Sequence, residues 1–136
     1  MKMIIGGAHQ GQLAWARKHF PEISDEEWID GAACEPEEIN TCRGIYDFQE
    51  YVRRIMQLEN EGMYSHAVED LADEMIYHNP DLIIVSDEIG YGLVPIDAFE
   101  RRYREQVGRI CTKLASHCEQ VVRVVMGIGT VIKGKD

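Results

Sequence analysis

The chain has 136 residues, of which 45% are hydrophobic, and this size and composition predict one domain over residues 1–136. Its formal net charge of −10 argues against a nucleic-acid partner, whose backbone is also negative. No apolar run approaches the length of a membrane span, no signal peptide precedes the first predicted strand, and the four cysteines lack zinc-site spacing. We therefore expect a reduced, cytoplasmic protein that has no membrane segment and no structural metal.

The first predicted elements are a strand over residues 3–5 and a helix that stops before Pro21, with a glycine-bearing segment between them. That segment reads Gly6-Gly7-Ala8-His9-Gln10-Gly11-Gln12-Leu13. Its first and last glycines have the spacing of a Walker A loop, whose backbone N–H groups attract phosphate at the start of a helix. In that motif a Lys and then a Ser or Thr follow the last glycine, whereas this chain has Gln12 and Leu13.

This segment has two interpretations. The glycine spacing predicts nucleotide binding at Gly6 to Leu13, with the chemistry weakened by the loss of the Lys charge and of the hydroxyl that holds Mg²⁺. His9 could then donate a hydrogen bond to a phosphate when it is protonated. The alternative is a glycine-rich turn that binds nothing, in which His9 is an ordinary exposed imidazole.

The middle of the chain predicts shorter elements. Residues 28–29 form a short strand that ends at Asp30-Gly31, and residues 36–39 form a helical turn. Apolar residues at helical spacing predict one helix over residues 48–58 and another that Ser65 caps and that ends at Asn79-Pro80.

The second half begins with a continuous apolar run, residues 82–85, which is typical of a strand buried on both faces of a parallel sheet. A glycine-bearing segment follows over residues 89–95, and Asp97 caps a long helix. Strands are predicted over residues 121–126 and 130–133. The element order β-α-β-α-α-β-α-β-β predicts an α/β fold with a mainly parallel sheet flanked by helices.

Ligands of such sheets bind beyond the carboxyl ends of the strands. Asp30, Asp87 and Glu88 follow predicted strands at that edge, so we consider them candidates for contact with substrate or Mg²⁺. The alternative is that these carboxylates form hydrogen bonds within turns and cap neighbouring helices.

Three parts of the sequence together resemble the bifunctional adenosylcobinamide kinase / adenosylcobinamide-phosphate guanylyltransferase family. The apolar opening Ile4-Ile5-Gly6-Gly7-Ala8 is one. The others are residues 102–109, with the strand at 121–126, and the stretch Ile83-Ile84-Val85-Ser86-Asp87-Glu88-Ile89-Gly90-Tyr91-Gly92-Leu93-Val94-Pro95.

The resemblance implies a single-domain, P-loop-type three-layer fold and a role in assembling the nucleotide loop of cobalamin. It also implies a purine nucleotide (GTP or ATP), Mg²⁺ and cobinamide as ligands, and a homo-oligomer. Arg104 and Arg109 match the family pattern, which makes them candidates for ligand or subunit contacts.

The chain also departs from the family pattern. It lacks the loop Lys and Ser, and no histidine occurs between Trp28 and Gly62, the stretch that carries the guanylyl-accepting histidine in the family. Two hypotheses therefore stay open. One is a divergent kinase or nucleotidyltransferase. The other is a non-catalytic nucleotide- or corrinoid-binding module, or a partner subunit.

Overall fold

The computed structural model describes residues 1–90, 92–93 and 97–135, which form one sheet with helices on both faces. The strands are β1 (Lys2–Gly6), β2 (Trp28–Asp30), β3 (Gly44–Tyr46), β4 (Ile83–Asp87), β5 (Gln120–Val125) and β6 (Ile128–Lys133). The α-helices are α1 (Gln12–His19), α2 (Phe48–Asn60), α3 (Leu71–His78) and α4 (Ala98–His117). Short 3-10 helices occur at Asp25–Glu27, Pro36–Asn40 and Val68–Asp70.

The sheet has the strand order β2-β3-β4-β1-β5-β6, and β1 to β5 are parallel, while β6 pairs with β5 in antiparallel orientation. Helix α1 packs on one face, where Ala16 meets Ile4 and Val85. Helices α2, α3 and α4 cover the other face, where Met3 and Ile84 are buried. Successive residues of a strand thus point to opposite faces of the sheet, as the two-residue period of a strand requires. The predicted three-layer α/β fold is confirmed.

The predicted order of elements needs two corrections. A strand, β3, lies between β2 and β4 where no strand was expected, because a three-residue Gly-Ile-Tyr segment shows no alternation in sequence and gains its hydrogen bonds from the two neighbouring strands. Ser65 does not cap α3, since the 3-10 helix Val68–Asp70 leads directly into Leu71.

The remaining predictions agree with the structure to within a few residues. The cap of α4 is as expected, because the Asp97 carboxylate accepts hydrogen bonds from the backbone N–H groups of Phe99 and Glu100 at 2.8 and 3.2 Å. The glycine-bearing segment predicted after β4 is described only in part, and its Tyr91, Val94 and Pro95 lie outside the described residues. Within the described ranges, no helix has the length and apolar composition needed to cross a membrane.

Candidate functional site

The glycine-bearing segment connects β1 to α1, as the sequence predicts. Gly11 is the last residue before α1 and has φ 91°, a left-handed conformation that glycine adopts without a steric penalty. Its carbonyl accepts the first helical hydrogen bond, from the N–H of Trp15 at 3.0 Å. The chain therefore turns sharply at Gly11 and enters the helix with its first amides exposed at the helix N-terminus.

Gln12 is 5% exposed, and its side chain points back into the loop instead of outward. The amide nitrogen Nε2 donates to the carbonyl oxygens of Gly6 and Gly7 at 3.0 and 2.9 Å and to Oδ1 of Asp87 at 2.9 Å. All three partners are acceptors, so the position selects a hydrogen-bond donor. The neutral amide occupies the sequence position of the Walker A lysine and binds the protein itself.

The backbone N–H groups of the loop differ from the Gln12 side chain in that they lack hydrogen-bond partners in the described part of the protein. From Ala8 to Leu13 none of them donates a hydrogen bond to another residue within the described part of the chain. Unpaired amides at the start of a helix are the groups that bind anions in phosphate loops. The predicted anion site at Gly6 to Leu13 therefore keeps its backbone donors, and its occupancy by nucleotide stays a prediction.

A second set of contacts ties the loop to the turn between β5 and β6. The Gln10 side-chain oxygen accepts from the N–H of Met126 at 2.8 Å, and the Gln10 carbonyl accepts from the N–H of Gly127 at 2.8 Å. Both turn residues have positive φ, so the turn is tight and presents its amides in a fixed direction. The local sequence places Gln10 in the loop but contains no signal of this anchoring role, because the turn it contacts is more than a hundred residues away.

Asp87 ends β4 next to the loop, in register with Gly6 of β1. Its backbone N–H donates to Oε1 of the buried Gln49 at 3.0 Å, and its carboxylate accepts from Gln12. Burial, together with the nearby carboxylates of Asp47 and Glu50, raises the pKa of Asp87, while the His9 imidazole and the Gln12 hydrogen bond act in the opposite direction.

Two of these residues, Asp47 and Glu50, were not among the candidates from sequence. Asp47 follows β3 directly and precedes α2, and its φ of 50° is uncommon for a residue other than glycine. Glu50 lies in the first turn of α2. Recognising β3 would have revealed them, because the carboxyl end of that strand reaches the same edge of the sheet as Asp87.

The other carboxylate candidates have protein partners. Glu88 forms a two-pronged ion pair with Arg123 of β5, at 2.8 and 3.2 Å. Asp30 accepts from the N–H of Ala32 at 2.9 Å within its own turn. Among the described residues, no group of three or more His, Cys, Asp or Glu is arranged to hold a metal ion. A role for Asp30, Asp87 or Glu88 toward Mg²⁺ or substrate stays a prediction.

Arg104 and Arg109 lie on the outer side of α4, where they line a shallow depression with Gly108 and Thr112. The Arg109 guanidinium forms an i, i+4 ion pair with Glu105 at 2.5 Å and is 69% exposed. No residue of the loop after β1 lines this depression. The structure therefore does not bring the two arginines together with the loop, and their ligand role stays untested.

A cavity of about 330 Å³ opens beside Asp87 and Glu88 and continues between the sheet and α4. Ile5, Val107 and Ile132 give it apolar walls. This places an apolar recess at the same sheet edge as the loop, which is the arrangement common for sites that bind organic ligands.

A family model described as "Cobinamide kinase / cobinamide phosphate guanyltransferase" matches residues 17–132, so the loop from Gly6 to Leu13 lies outside the matched range. The bifunctional adenosylcobalamin biosynthesis protein CobP of Pseudomonas aeruginosa is 37% identical over 54 residues, which is 40% of this chain and 31% of that protein.

Two further relatives are the bifunctional adenosylcobalamin biosynthesis proteins CobU of Salmonella typhimurium and Escherichia coli, each 38% identical over 52 residues. These alignments cover 38% of this chain and 29% of either relative. The chain thus matches about three-tenths of the length of the curated relatives. The family model, in contrast, covers most of the chain. The chain belongs to the cobinamide kinase / cobinamide phosphate guanyltransferase family.

Proposed function

We propose that the chain binds a purine nucleotide, GTP or ATP, with its phosphates on the loop from Gly6 to Leu13, and that it acts in cobalamin biosynthesis. The observation that carries the proposal is the row of backbone N–H groups from Ala8 to Leu13 at the start of α1, which have no hydrogen-bond acceptor among the described residues. The names of the relatives, all adenosylcobalamin biosynthesis proteins, support the pathway. The apolar cavity beside Asp87 offers room for an organic part of cobinamide.

The charges around the loop determine how the nucleotide is bound. Asp47, Glu50 and Asp87 place negative charge near the loop, and the loop itself has no Lys or Arg. A bare triphosphate would be repelled, whereas Mg²⁺ bound to the phosphates would reduce that repulsion. Loss of the Lys removes a charge-assisted hydrogen bond worth roughly 1.5–3 kcal/mol. We therefore expect weak, Mg²⁺-dependent nucleotide binding.

The test measures the thermal unfolding of the protein while GTP, ATP or GMP is titrated, with and without Mg²⁺. A ligand at about 100 times its Kd adds roughly 2.7 kcal/mol to the free energy of unfolding. Gln10→Glu places a negative charge in the loop and keeps the oxygen that accepts from Met126, so it should abolish the ligand-induced shift. Gln57→Glu makes the same change at an exposed site on α2 and should preserve it.

A Gln10→Glu protein that binds GTP as tightly as the Gln57→Glu protein would show that the loop is not the phosphate site. Absence of any shift with all three nucleotides, at concentrations of several millimolar, would remove nucleotide binding altogether.

The second candidate is a binding module without kinase or guanylyltransferase activity. It is favoured by the side chain of Gln12, whose amide nitrogen is already bonded to Gly6, Gly7 and Asp87, and by Leu13, which has no hydroxyl for Mg²⁺. Phosphoryl transfer depends on cations that neutralise the developing charge. This hypothesis predicts that cobinamide is not phosphorylated at ordinary enzyme rates, which are about 1–10³ s⁻¹.

Restoring the motif distinguishes a weakened phosphate loop from an unrelated turn. Gln12→Lys with Leu13→Ser should tighten Mg²⁺–GTP binding by roughly tenfold or more. Gln12→Lys alone is the control for stability, because Leu13 packs against the apolar face of the sheet that α1 covers. If the double variant binds no better than the parent, the segment has only the spacing of the motif.

A further inference from the structure

A second recess, away from the loop, lies between the 3-10 helix Pro36–Asn40, α2 and α3. Its volume is about 390 Å³, enough for a small organic molecule. Its floor is formed by Ile39, Leu71 and Met75, and the segment from Met63 to His66 closes one side. None of its lining residues belongs to β1, to the loop or to α1, so it is separate from the proposed nucleotide site.

Hydrogen bonds fix the walls of this recess. The Tyr51 hydroxyl donates to the carbonyl of Pro36 at 2.7 Å and joins α2 to the 3-10 helix Pro36–Asn40. The Asn79 side chain donates to the carbonyls of Ile39 and Cys42 at 2.9 and 2.8 Å, which holds the end of α3 in place. These hydrogen bonds hold the walls in place, so binding would not have to order them.

The polar groups at the rim have a clear charge preference. Glu37 and Glu74 supply carboxylates, and no Lys or Arg is among the described residues that line the recess. His66 Nδ1 lies 3.1 Å from Glu74 Oε1, so the imidazole orients that carboxylate at the rim. An anion such as a phosphate would be repelled here, whereas a cation would be attracted.

Aromatic and apolar side chains surround these carboxylates. Tyr64 lies beside His66 with ring centroids 5.9 Å apart in an edge-to-face arrangement. Burial, and then the carboxylates of Glu74, Glu59 and Asp70, raise the pKa of Tyr64 to about 12. Met63 is 70% exposed at the mouth, where its side chain could cover a flat ligand.

We propose that this recess is a second binding site, for a small aromatic molecule that carries one positive charge. The ring would lie on the apolar floor between Tyr64 and Met63, and the cationic group would meet the carboxylate of Glu74. The class includes arylalkyl ammonium ions and protonated nitrogen heterocycles. The proposal does not depend on nucleotide binding at the loop.

The test uses tryptamine as the cationic probe and indole-3-propionate as an anion with the same ring. Backbone amide resonances of the ¹⁵N-labelled full chain are followed by NMR during each titration at pH 7. Tryptamine should give saturable shifts at residues 63–66 and 74–78, and indole-3-propionate should bind at least about tenfold more weakly.

Two substitutions test the contacts. Glu74→Gln keeps the shape of the side chain and should weaken tryptamine binding by about tenfold, while Asp73→Asn removes the same charge from the adjacent, non-lining position and should leave the Kd unchanged. Tyr64→Leu, which removes the aromatic ring beside the ligand, should weaken tryptamine binding several-fold and is the second test if Glu74→Gln does not fold.

Several results would overturn the proposal. One is equal affinity for the two probes. Another is tryptamine binding that neither Glu74→Gln nor Tyr64→Leu weakens. Shifts confined to residues 6–13, or no saturable binding up to about 10 mM tryptamine, would do the same.

Discussion

The side-chain nitrogen of Gln12 lies 2.9 Å from Oδ1 of Asp87, and this hydrogen bond joins the loop after β1 to the end of β4. The two strands are neighbours in the sheet, with Gly6 in register with Asp87. A donor placed between a carboxylate and two loop carbonyls holds the loop around itself. The loop conformation therefore depends on a donor at position 12, whether an amide as here or an ammonium group as in the Walker A motif.

The first prediction is that Gln12→Glu strongly destabilises the protein. The new carboxylate has no proton at pH 7 to donate to the carbonyls of Gly6 and Gly7, and it adds a charge next to Asp87. Loss of satisfied partners in a buried position costs about 1–3 kcal/mol, and more when a charge is involved. We expect the free energy of unfolding in urea to fall by at least about 2 kcal/mol.

The matched control for this variant is Gln57→Glu, which makes the same chemical change at an exposed site on α2. It should change the free energy of unfolding by no more than about 0.5 kcal/mol. Equal stability of the two variants would mean that the Gln12 side chain does not hold the loop in solution.

The second prediction concerns the pH dependence of Asp87. Its pKa in the folded protein is raised, so the folded state binds that proton more tightly than the unfolded chain does, and stability is lost as the pH rises through the raised pKa. Asp87→Asn keeps an oxygen that can accept from Gln12 and removes the charge near Asp47 and Glu50. At pH 7 the free energy of unfolding of the variant should therefore be higher by about 1 kcal/mol or less, which corresponds to a melting temperature a few degrees higher.

The difference in stability between Asp87→Asn and the parent should shrink as the pH falls below the ordinary pKa range of carboxyl groups. At such a pH, Asp87 is protonated and uncharged in both the folded and the unfolded state. Asp81→Asn, at an exposed position before β4, removes the same formal charge and serves as the control. An Asp87→Asn protein that is less stable than the parent at pH 7 would contradict the charge repulsion that the structure indicates.

The fold was largely predictable because its long elements carry their own signals. The continuous apolar run of β4 and the Asp97 cap of α4 were recognised from local sequence. Strand β3 was not, because Gly44 to Tyr46 is too short for a period and forms only between two other strands. Its existence depends on tertiary contacts that a local pattern does not contain.

The site was predicted less completely for the same reason. The loop and Asp87 were placed correctly at one edge of the sheet, since glycine spacing and strand ends are local features. The inward direction of the Gln12 side chain follows from acceptors that β1 and β4 bring together. Asp47 was overlooked along with the strand that precedes it.

The third prediction tests that missed strand. Gly44 lies against the ring of Trp28 in β2, and a Cβ built on Gly44 would be 2.4 Å from the ring atoms Cε3 and Cζ3. Gly44→Ala should therefore force β2 and β3 apart and lower the free energy of unfolding, measured in urea, by about 1–3 kcal/mol. Gly108→Ala is the control, because a Cβ there meets nothing within 4 Å and alanine favours the helix by about 1 kcal/mol. Gly44→Ala without loss of stability would argue against this packing.

The fourth prediction is that GTP with Mg²⁺ leaves no acid-labile GMP adduct on the chain. Covalent guanylyl transfer needs a nucleophilic nitrogen that can reach the α-phosphate. Four of the five histidines lie outside the loop: His19 stacks on Trp15, His66 is beside Glu74, and His78 and His117 are the last residues of α3 and α4. His9 is in the loop itself, where the β- and γ-phosphates would be expected to bind.

Intact-protein mass spectrometry before and after treatment with mild acid shows whether a GMP adduct has formed. An acid-labile increase of one GMP that disappears in His9→Ala would identify His9 as the acceptor, and would restore the transferase in place of the non-catalytic module.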